Sequence, residues 1–127
     1  MQRVAQRRVG AGQEDGAGGF DVRWNQGRLS AGIKTDTGIG GILSPASFFS
    51  GNEWIYFAIT YDGTSASNNV RFYRGTSSQS VTLVHTATLN LGAVRNAAAH
   101  LALGNLYLGD RAFPALFDNM RIFGSQS

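Results

Sequence analysis

Two short runs decide the fold of this chain: Trp54-Ile-Tyr-Phe-Ala-Ile-Thr-Tyr-Asp-Gly63 and Leu116-Phe-Asp-Asn-Met-Arg-Ile-Phe-Gly124. The first run is rich in aromatic and β-branched residues, which favour strands, and it ends at the turn residues Asp62 and Gly63. Apolar residues occupy both of its faces, a pattern typical of a strand that is covered on both sides. We therefore expect this strand in the middle of a sandwich of sheets.

Further strand-like runs surround these two segments. Residues 20–24 and 29–33 alternate apolar and polar side chains on either side of Asn25-Gln26-Gly27, which predicts a β-hairpin. Shorter apolar runs occupy residues 42–49, 70–74, 81–91 and 101–108, whereas residues 93–100 predict a loop with at most one turn of helix. Seven to nine short strands with regularly spaced turns predict an all-β, antiparallel two-sheet β-sandwich.

The composition fits one domain with a real core. The chain has 127 residues, of which 43% are hydrophobic, and no cysteine, so disulfides and cysteine-based metal sites are excluded. Residues 1–19 contain a glycine-rich stretch and predict an irregular N-terminal segment, leaving residues 20–127 as the folded domain. Residues 1–10 lack the apolar core of a signal peptide, and no run is long enough for membrane insertion.

The net charge of +3 resides in the N-terminal segment. Arg3, Arg7 and Arg8 account for all of it, and the remainder of the chain is balanced. Nucleic-acid binding calls for a basic patch on the folded surface, so we expect no nucleic-acid partner.

Four segments follow one another in an order that matches a known family pattern. Their matching residues are Trp54, Phe57, Ala58, Tyr61, Asp62 and Gly63; Val70, Phe72, Tyr73 and Gly75; Leu103 and Gly104; and Arg111, Phe113, Asp118, Met120, Arg121, Ile122 and Phe123. The pattern resembles that of LamG-like domains, the laminin G and pentraxin branch of the concanavalin A-like jelly rolls. The resemblance implies a jelly-roll sandwich and a non-catalytic, lectin-like module that recognises a carbohydrate or glycoconjugate. It also implies an extracellular or cell-surface setting within a larger secreted protein, which we expect to be bacterial.

The chain departs from the family pattern at both ends. Strands that usually precede residue 20 and a segment that usually follows Phe123 are not evident, so sheet edges would be left unpaired. We expect a homodimer that joins such edges or swaps a strand.

The resemblance suggests calcium as a candidate cofactor. An Asp at the position of Asp118 helps to hold a structural calcium in many such domains, and Glu14 and Asp15 are the residues that could complete the site. The alternative is that Asp118 caps backbone N–H groups or pairs with Arg121 or Arg111.

Candidate ligand-binding residues combine exposed aromatic rings with polar groups. Trp24 and Tyr73 are predicted to be exposed, and Arg71 and Arg74 beside Tyr73 would suit an acidic or sulfated glycan. Asn69 lies in a polar loop that begins at Asp62 and either lines a calcium or glycan site or forms a plain turn. Each ring has core packing as its alternative, and Trp54 matches a family core position, so we expect it to be buried.

An enzymatic role has little support. The chain lacks the paired carboxylates of retaining glycosidases of this fold, and His85 and His100 have no neighbouring carboxylate or nucleophile motif. The competing function is therefore a dimerising structural or assembly module of a surface protein that binds no small ligand.

Overall fold

The computed structural model describes residues 11–14, 19–49, 52–94, 102–103 and 118–122. These residues form eight strands, all paired antiparallel, and no helix. The predicted all-β, antiparallel architecture is confirmed. In chain order the strands are β1 Ala11–Glu14, β2 Gly19–Asn25, β3 Arg28–Lys34, β4 Ile39–Leu43, β5 Ile55–Tyr61, β6 Val70–Thr76, β7 Thr82–Ala87 and β8 Ala102–Leu103.

The strands form two sheets. One has five strands in the order β4-β3-β2-β1-β8, and the other has three in the order β5-β6-β7. The predicted hairpin is β2–β3, and Gln26 and Gly27 at its turn both have positive φ angles, of 52° and 82°. Such a two-residue turn matches the twist of the strands that it joins. No helix that could span a bilayer occurs in the described part of the chain.

The glycine-rich N-terminal segment contains a strand that composition does not predict. Within β1, Gly12 pairs with Asp21 of β2 on one side and with Ala102 of β8 on the other. A strand held by backbone pairing on both sides does not depend on the side-chain pattern that marks half-buried strands. The prediction that residues 1–19 form an irregular segment was therefore wrong for Ala11–Glu14.

The core lies between the two sheets. Leu29 and Ala31 of β3 meet Val70 and Phe72 of β6, and Phe48 joins them from the segment between β4 and β5. Phe72 is 0% exposed, and its ring centroid lies 6.5 Å from that of Phe48 in an edge-to-face arrangement. Burial of these side chains supplies the main hydrophobic stabilisation of the sandwich.

Strand β5 is not covered on both faces, contrary to the sequence prediction. Among the described strands it pairs only with β6 and forms an edge. One face of β5, with Phe57 and Ile59, packs on the core, whereas Tyr56 on the other face is 58% exposed. Trp54, directly before the strand, is 60% exposed, so the prediction that it is buried was wrong. Apolar residues on both faces of a strand did not mean burial of both faces.

Asn69 braces the loop between β5 and β6. It is 4% exposed, and its Nδ2 donates to the carbonyl oxygens of Asp62 (3.1 Å), Ser65 (3.0 Å) and Leu89 (3.0 Å). Its Oδ1 accepts a hydrogen bond from the backbone N–H of Leu89 (2.9 Å). The buried amide of Asn69 thus holds the loop together, and its predicted role in ligand binding stays a prediction.

Replacement of Phe72 by Ala tests the position of the core. We expect the free energy of unfolding to fall by about 3–5 kcal/mol, because a large, fully buried side chain is lost and a cavity remains. Urea denaturation measures this change. The control Ile39→Ala removes a side chain that is 70% exposed and should change the free energy of unfolding by less than about 0.5 kcal/mol. Equal effects of both substitutions would contradict the assigned core.

Replacement of Asn69 by Ala tests its bracing role. The substitution leaves the part-buried N–H of Leu89 and three backbone carbonyl oxygens without the partner that Asn69 supplies, so we expect a loss of about 1–3 kcal/mol in the free energy of unfolding. The matched control is Ser67→Ala, in the same loop, where the side chain is exposed. A stable N69A variant, with unfolding like that of S67A, would show that the loop does not depend on this amide.

Candidate functional site

The solvent side of the three-stranded sheet carries an unusual set of side chains, which we call the outer face. Because Phe57 and Ile59 of β5 and Val70 and Phe72 of β6 face the core, the residues between them point away from it. The register aligns these outward positions in rows across the three strands. The outer face consists of Trp54, Tyr56, Ala58, Thr60, Arg71, Tyr73, Gly75, Leu83 and Thr86.

Three aromatic residues form a cluster on this face. Trp54 lies directly before β5 and Tyr56 lies within it, so the two are two residues apart, a separation of about 7 Å if the extended rise of a strand continues to Trp54. Tyr73 of β6 lies opposite Ala58 and therefore diagonally across from Tyr56. Diagonal neighbours on one face are about 7–8 Å apart, within reach of aromatic side chains. Trp54 and Tyr56 are exposed, whereas Tyr73 is half-buried and not fully exposed as the sequence predicted. The three rings thus form one aromatic surface at the edge of the sheet, with Tyr73 as its least accessible member.

Apolar side chains from β7 and its approach extend this surface. Leu83 pairs with Tyr73, and a register shift next to this pair places an additional residue, Val84, in β7. Val81 lies against Gly75, where a Cβ atom would come within 2.8 Å of Val81 Cγ2. A glycine at position 75 therefore allows Val81 to lie close to the sheet. Leu83, Val84 and Val81 are all exposed.

Arg71 is the charged residue of the outer face. It is exposed, lies between Thr60 of β5 and Thr86 of β7, and shares its side of β6 with Tyr73. Hydrogen bonds from the hydroxyl and the backbone N–H of Thr64 lower the pKa of Asp62, and the positive charge of Arg71 lowers it further. Asp62 is therefore an anion at neutral pH and lies near enough to Arg71 to interact with it electrostatically.

Arg74 does not join Arg71 and Tyr73, although the sequence predicted all three together. It lies in the row of Phe57, on the core side of the sheet. Its Nε donates to the carbonyl oxygen of Phe48 (2.6 Å), and its Nη2 lies 3.5 Å from Glu53 Oε1. The alternation of a strand places residues 71 and 73 on one face and residue 74 on the other. Arg74 therefore ties β6 to the core segment instead of facing a ligand.

Trp24 lies in the other sheet. It pairs with the buried Leu29 on the core side of β2 and is half-buried, and its indole Nε1 is inaccessible to solvent. The predicted platform at the end of the hairpin is therefore not an exposed ring. Of the predicted ligand-binding residues, the structure brings together Tyr73 and Arg71.

The residues proposed for calcium are only partly described. Asp118 is exposed, and beside it Arg121 Nε donates to Asn119 Oδ1 (3.2 Å). Asp15 lies outside the described residues, and Glu14 is described only as part of strand β1. Within the described ranges, no three His, Cys, Asp or Glu residues are grouped as they would be around a metal ion. The calcium site therefore stays a prediction.

Trp54 and Tyr56 are the site residues that sequence reasoning missed. A core position in the family pattern assigned Trp54 to the interior, and Tyr56 was not among the predicted ligand-binding residues. The alternation of side chains along a strand could have indicated their position, because residues 54 and 56 face away from the core if Phe57 faces it. This alternation does not indicate whether another layer of the protein covers the side chains of Trp54 and Tyr56.

Comparison with known proteins agrees with this architecture. Residues 2–126 match the laminin G family model described as the concanavalin A-like lectin/glucanases superfamily. Searches of curated proteins and of solved structures found no match. The match covers nearly the whole chain, and the two-sheet sandwich is the architecture expected for such a domain. The protein is therefore a member of the laminin G branch of the concanavalin A-like lectin/glucanases superfamily.

Proposed function

We propose that this protein is a carbohydrate-binding module that holds a glycan on the outer face of its three-stranded sheet. The observation that carries the proposal is the exposure of Trp54 (60%) and Tyr56 (58%) on one side of an edge strand, with Tyr73 beside them. The superfamily contains lectins, which supports a carbohydrate ligand in general terms.

The chemistry of the outer face suits a sugar. A pyranose ring presents C–H groups on its faces and hydroxyls around its rim. The electron-rich face of an aromatic ring attracts such C–H groups, and water is released from both surfaces. Thr60, Thr86 and Arg71 lie in the next row of the sheet and supply hydrogen-bonding groups for the rim. Apolar contact with a few polar groups is the usual design of a small-molecule site.

The proposed role is binding and not catalysis. The superfamily also includes glucanases, which use two carboxyl groups on either side of the scissile bond. The outward positions of β5, β6 and β7 hold no carboxylate or imidazole side chain. His85, the histidine of β7, pairs with Phe72 on the core side, and the centroids of the two rings are 5.8 Å apart.

An extracellular or cell-surface setting, as one domain of a larger secreted protein, belongs to the same proposal. Glycans on surfaces and in the extracellular matrix are the ligands to which a module of this class would have access there. Assistance by calcium is a separate prediction, because Asp118 lies on a different segment from the outer face.

A second candidate function is assembly through a sheet edge, as a homodimer. Two observations favour it. Strand β4 ends the five-stranded sheet and carries Ile39, which is 70% exposed, and β5 and β7 are edges of the other sheet within the described strands. Unpaired edges with apolar side chains invite pairing with another chain. Pairing at the β5 edge would place the second copy beside Trp54 and Tyr56.

Replacement of Trp54 or Tyr56 by Ala tests the proposed function. The wild-type protein is screened against immobilised polysaccharides, and affinity for the bound polymer is measured by isothermal titration calorimetry. We expect each substitution to weaken binding by at least about tenfold, because stacked aromatic residues are typical hot spots. Each variant should remain folded, since the lost side chain is mostly exposed.

The matched control is Ile39→Ala, which removes an exposed apolar side chain from the other sheet and should leave the affinity unchanged. A loss of binding in I39A equal to that in W54A would contradict the assigned face. Sedimentation velocity over a range of protein concentrations separates the two functions. A stable dimer that W54A or Y56A converts to a monomer, in a protein that binds no polysaccharide, would favour assembly.

A further inference from the structure

We propose that the outer face selects a glycan whose sugars carry carboxylate groups, and that Arg71 is the residue that binds the carboxylate. This inference rests on the proposed function, since it names the class of glycan for the same face. It follows from the position of one guanidinium group among the aromatic and hydroxyl groups around it.

The guanidinium of Arg71 is available to a ligand. Arg71 is exposed, and its side chain makes no hydrogen bond or ion pair within the described ranges of the chain. The other arginines with described partners use their guanidinium groups within the fold: Arg23 pairs with Asp21 (2.7 Å), Arg28 donates to the Ser44 carbonyl (2.8 Å), Arg74 contacts Phe48 and Glu53, and Arg121 donates to Asn119 Oδ1 (3.2 Å). Arg71 thus keeps its planar set of donors, which matches the two oxygens of a carboxylate.

The surroundings of Arg71 place such a carboxylate next to a sugar ring. Tyr73 lies two residues along the same face of β6, so a sugar stacked on its ring would have its substituents near Arg71. Thr60 and Thr86 flank Arg71 on the neighbouring strands and can donate or accept hydrogen bonds with sugar hydroxyls. One aromatic surface, one guanidinium and two hydroxyls match the groups of a uronic acid.

The charge of this region favours a carboxylate over dense sulfation. Arg71 is the single cation among the outward positions of the three strands, and Asp62, whose pKa is lowered by Thr64, supplies a negative charge nearby. Heavily sulfated chains carry more than one negative charge on each sugar and need several cations to balance that charge, and Asp62 repels such a chain more strongly than a chain with one carboxylate on each sugar. One carboxylate for each sugar needs one arginine.

The experiment compares two forms of one polymer. Polygalacturonate carries a carboxylate on each sugar, whereas its methyl-esterified form has the same backbone without that charge. We expect the wild-type protein to bind polygalacturonate at least about tenfold more tightly than the ester, because hydrogen bonds to charged groups contribute about that much. Added salt should weaken this preference, since the pair is exposed.

Two substitutions at position 71 separate the contribution of the positive charge from that of the planar set of donors. Arg71→Gln should bind both polymers equally and show little dependence on salt. Arg71→Lys keeps the charge and loses the planar donor set, so we expect an intermediate preference. The control Lys34→Gln removes one positive charge from the other sheet and should leave the preference unchanged. Circular dichroism verifies that each variant is folded.

The outcomes separate this inference from the function on which it rests. Equal binding of the two polymers by the wild-type protein would overturn the inference and leave the glycan-binding proposal intact. Tighter binding of dextran sulfate than of polygalacturonate would overturn the choice of carboxylate. An unchanged preference of R71Q for polygalacturonate over the ester would show that Arg71 does not bind the carboxylate. Failure to bind any polysaccharide would overturn both proposals.

Discussion

The burial of Phe72 at the centre of the three-stranded sheet is the constraint on which the other features depend. Strand β6 pairs with β5 on one side and with β7 on the other, so its register orients all three strands. Once Phe72 and Val70 face Leu29 and Ala31 of the opposite sheet, alternation sends Arg71 and Tyr73 outward. The same choice sends Tyr56 outward in β5, because its neighbour Phe57 packs on the core. The candidate site is therefore the reverse side of the core.

This relation explains how a small domain keeps large aromatic residues at its surface. A shift of β5 by one residue relative to β6 would exchange Tyr56 for Phe57 on the core side. Phe57 is held there by Phe49, with ring centroids 6.2 Å apart, and Phe49 in turn contacts Phe48 at 5.2 Å. Arg74 strengthens the same register, since it binds the carbonyl oxygen of Phe48. The aromatic contacts inside the sandwich thus keep the outer aromatic cluster in place.

The sequence predicted the class of fold and the β2–β3 hairpin, because period-two alternation and a Gly-containing turn are local signals. It did not predict strand β1, whose pairing partners in β2 and β8 are supplied by tertiary structure. It also misplaced Trp54 and Trp24, since both are large aromatic residues in strand-like runs and local pattern does not reveal which face another layer covers. The position of Arg74, in contrast, could have been predicted, because alternation along a strand places residue 74 on the opposite face from residues 71 and 73. The structural role of Asn69 could not have been predicted from local pattern, because its hydrogen bonds join segments 20 residues apart in sequence.

The central claim is that a glycan binds on the outer face of the three-stranded sheet. Two-dimensional 1H–15N NMR spectra of the protein, recorded during a titration with polygalacturonate oligosaccharides, test it most directly. The account predicts shifts in the Trp54 indole signal and in the backbone amides of Tyr56, Arg71 and Tyr73, with the amides of β3 unchanged. Shifts confined to the five-stranded sheet, or to the loop ends of the sandwich, would contradict it.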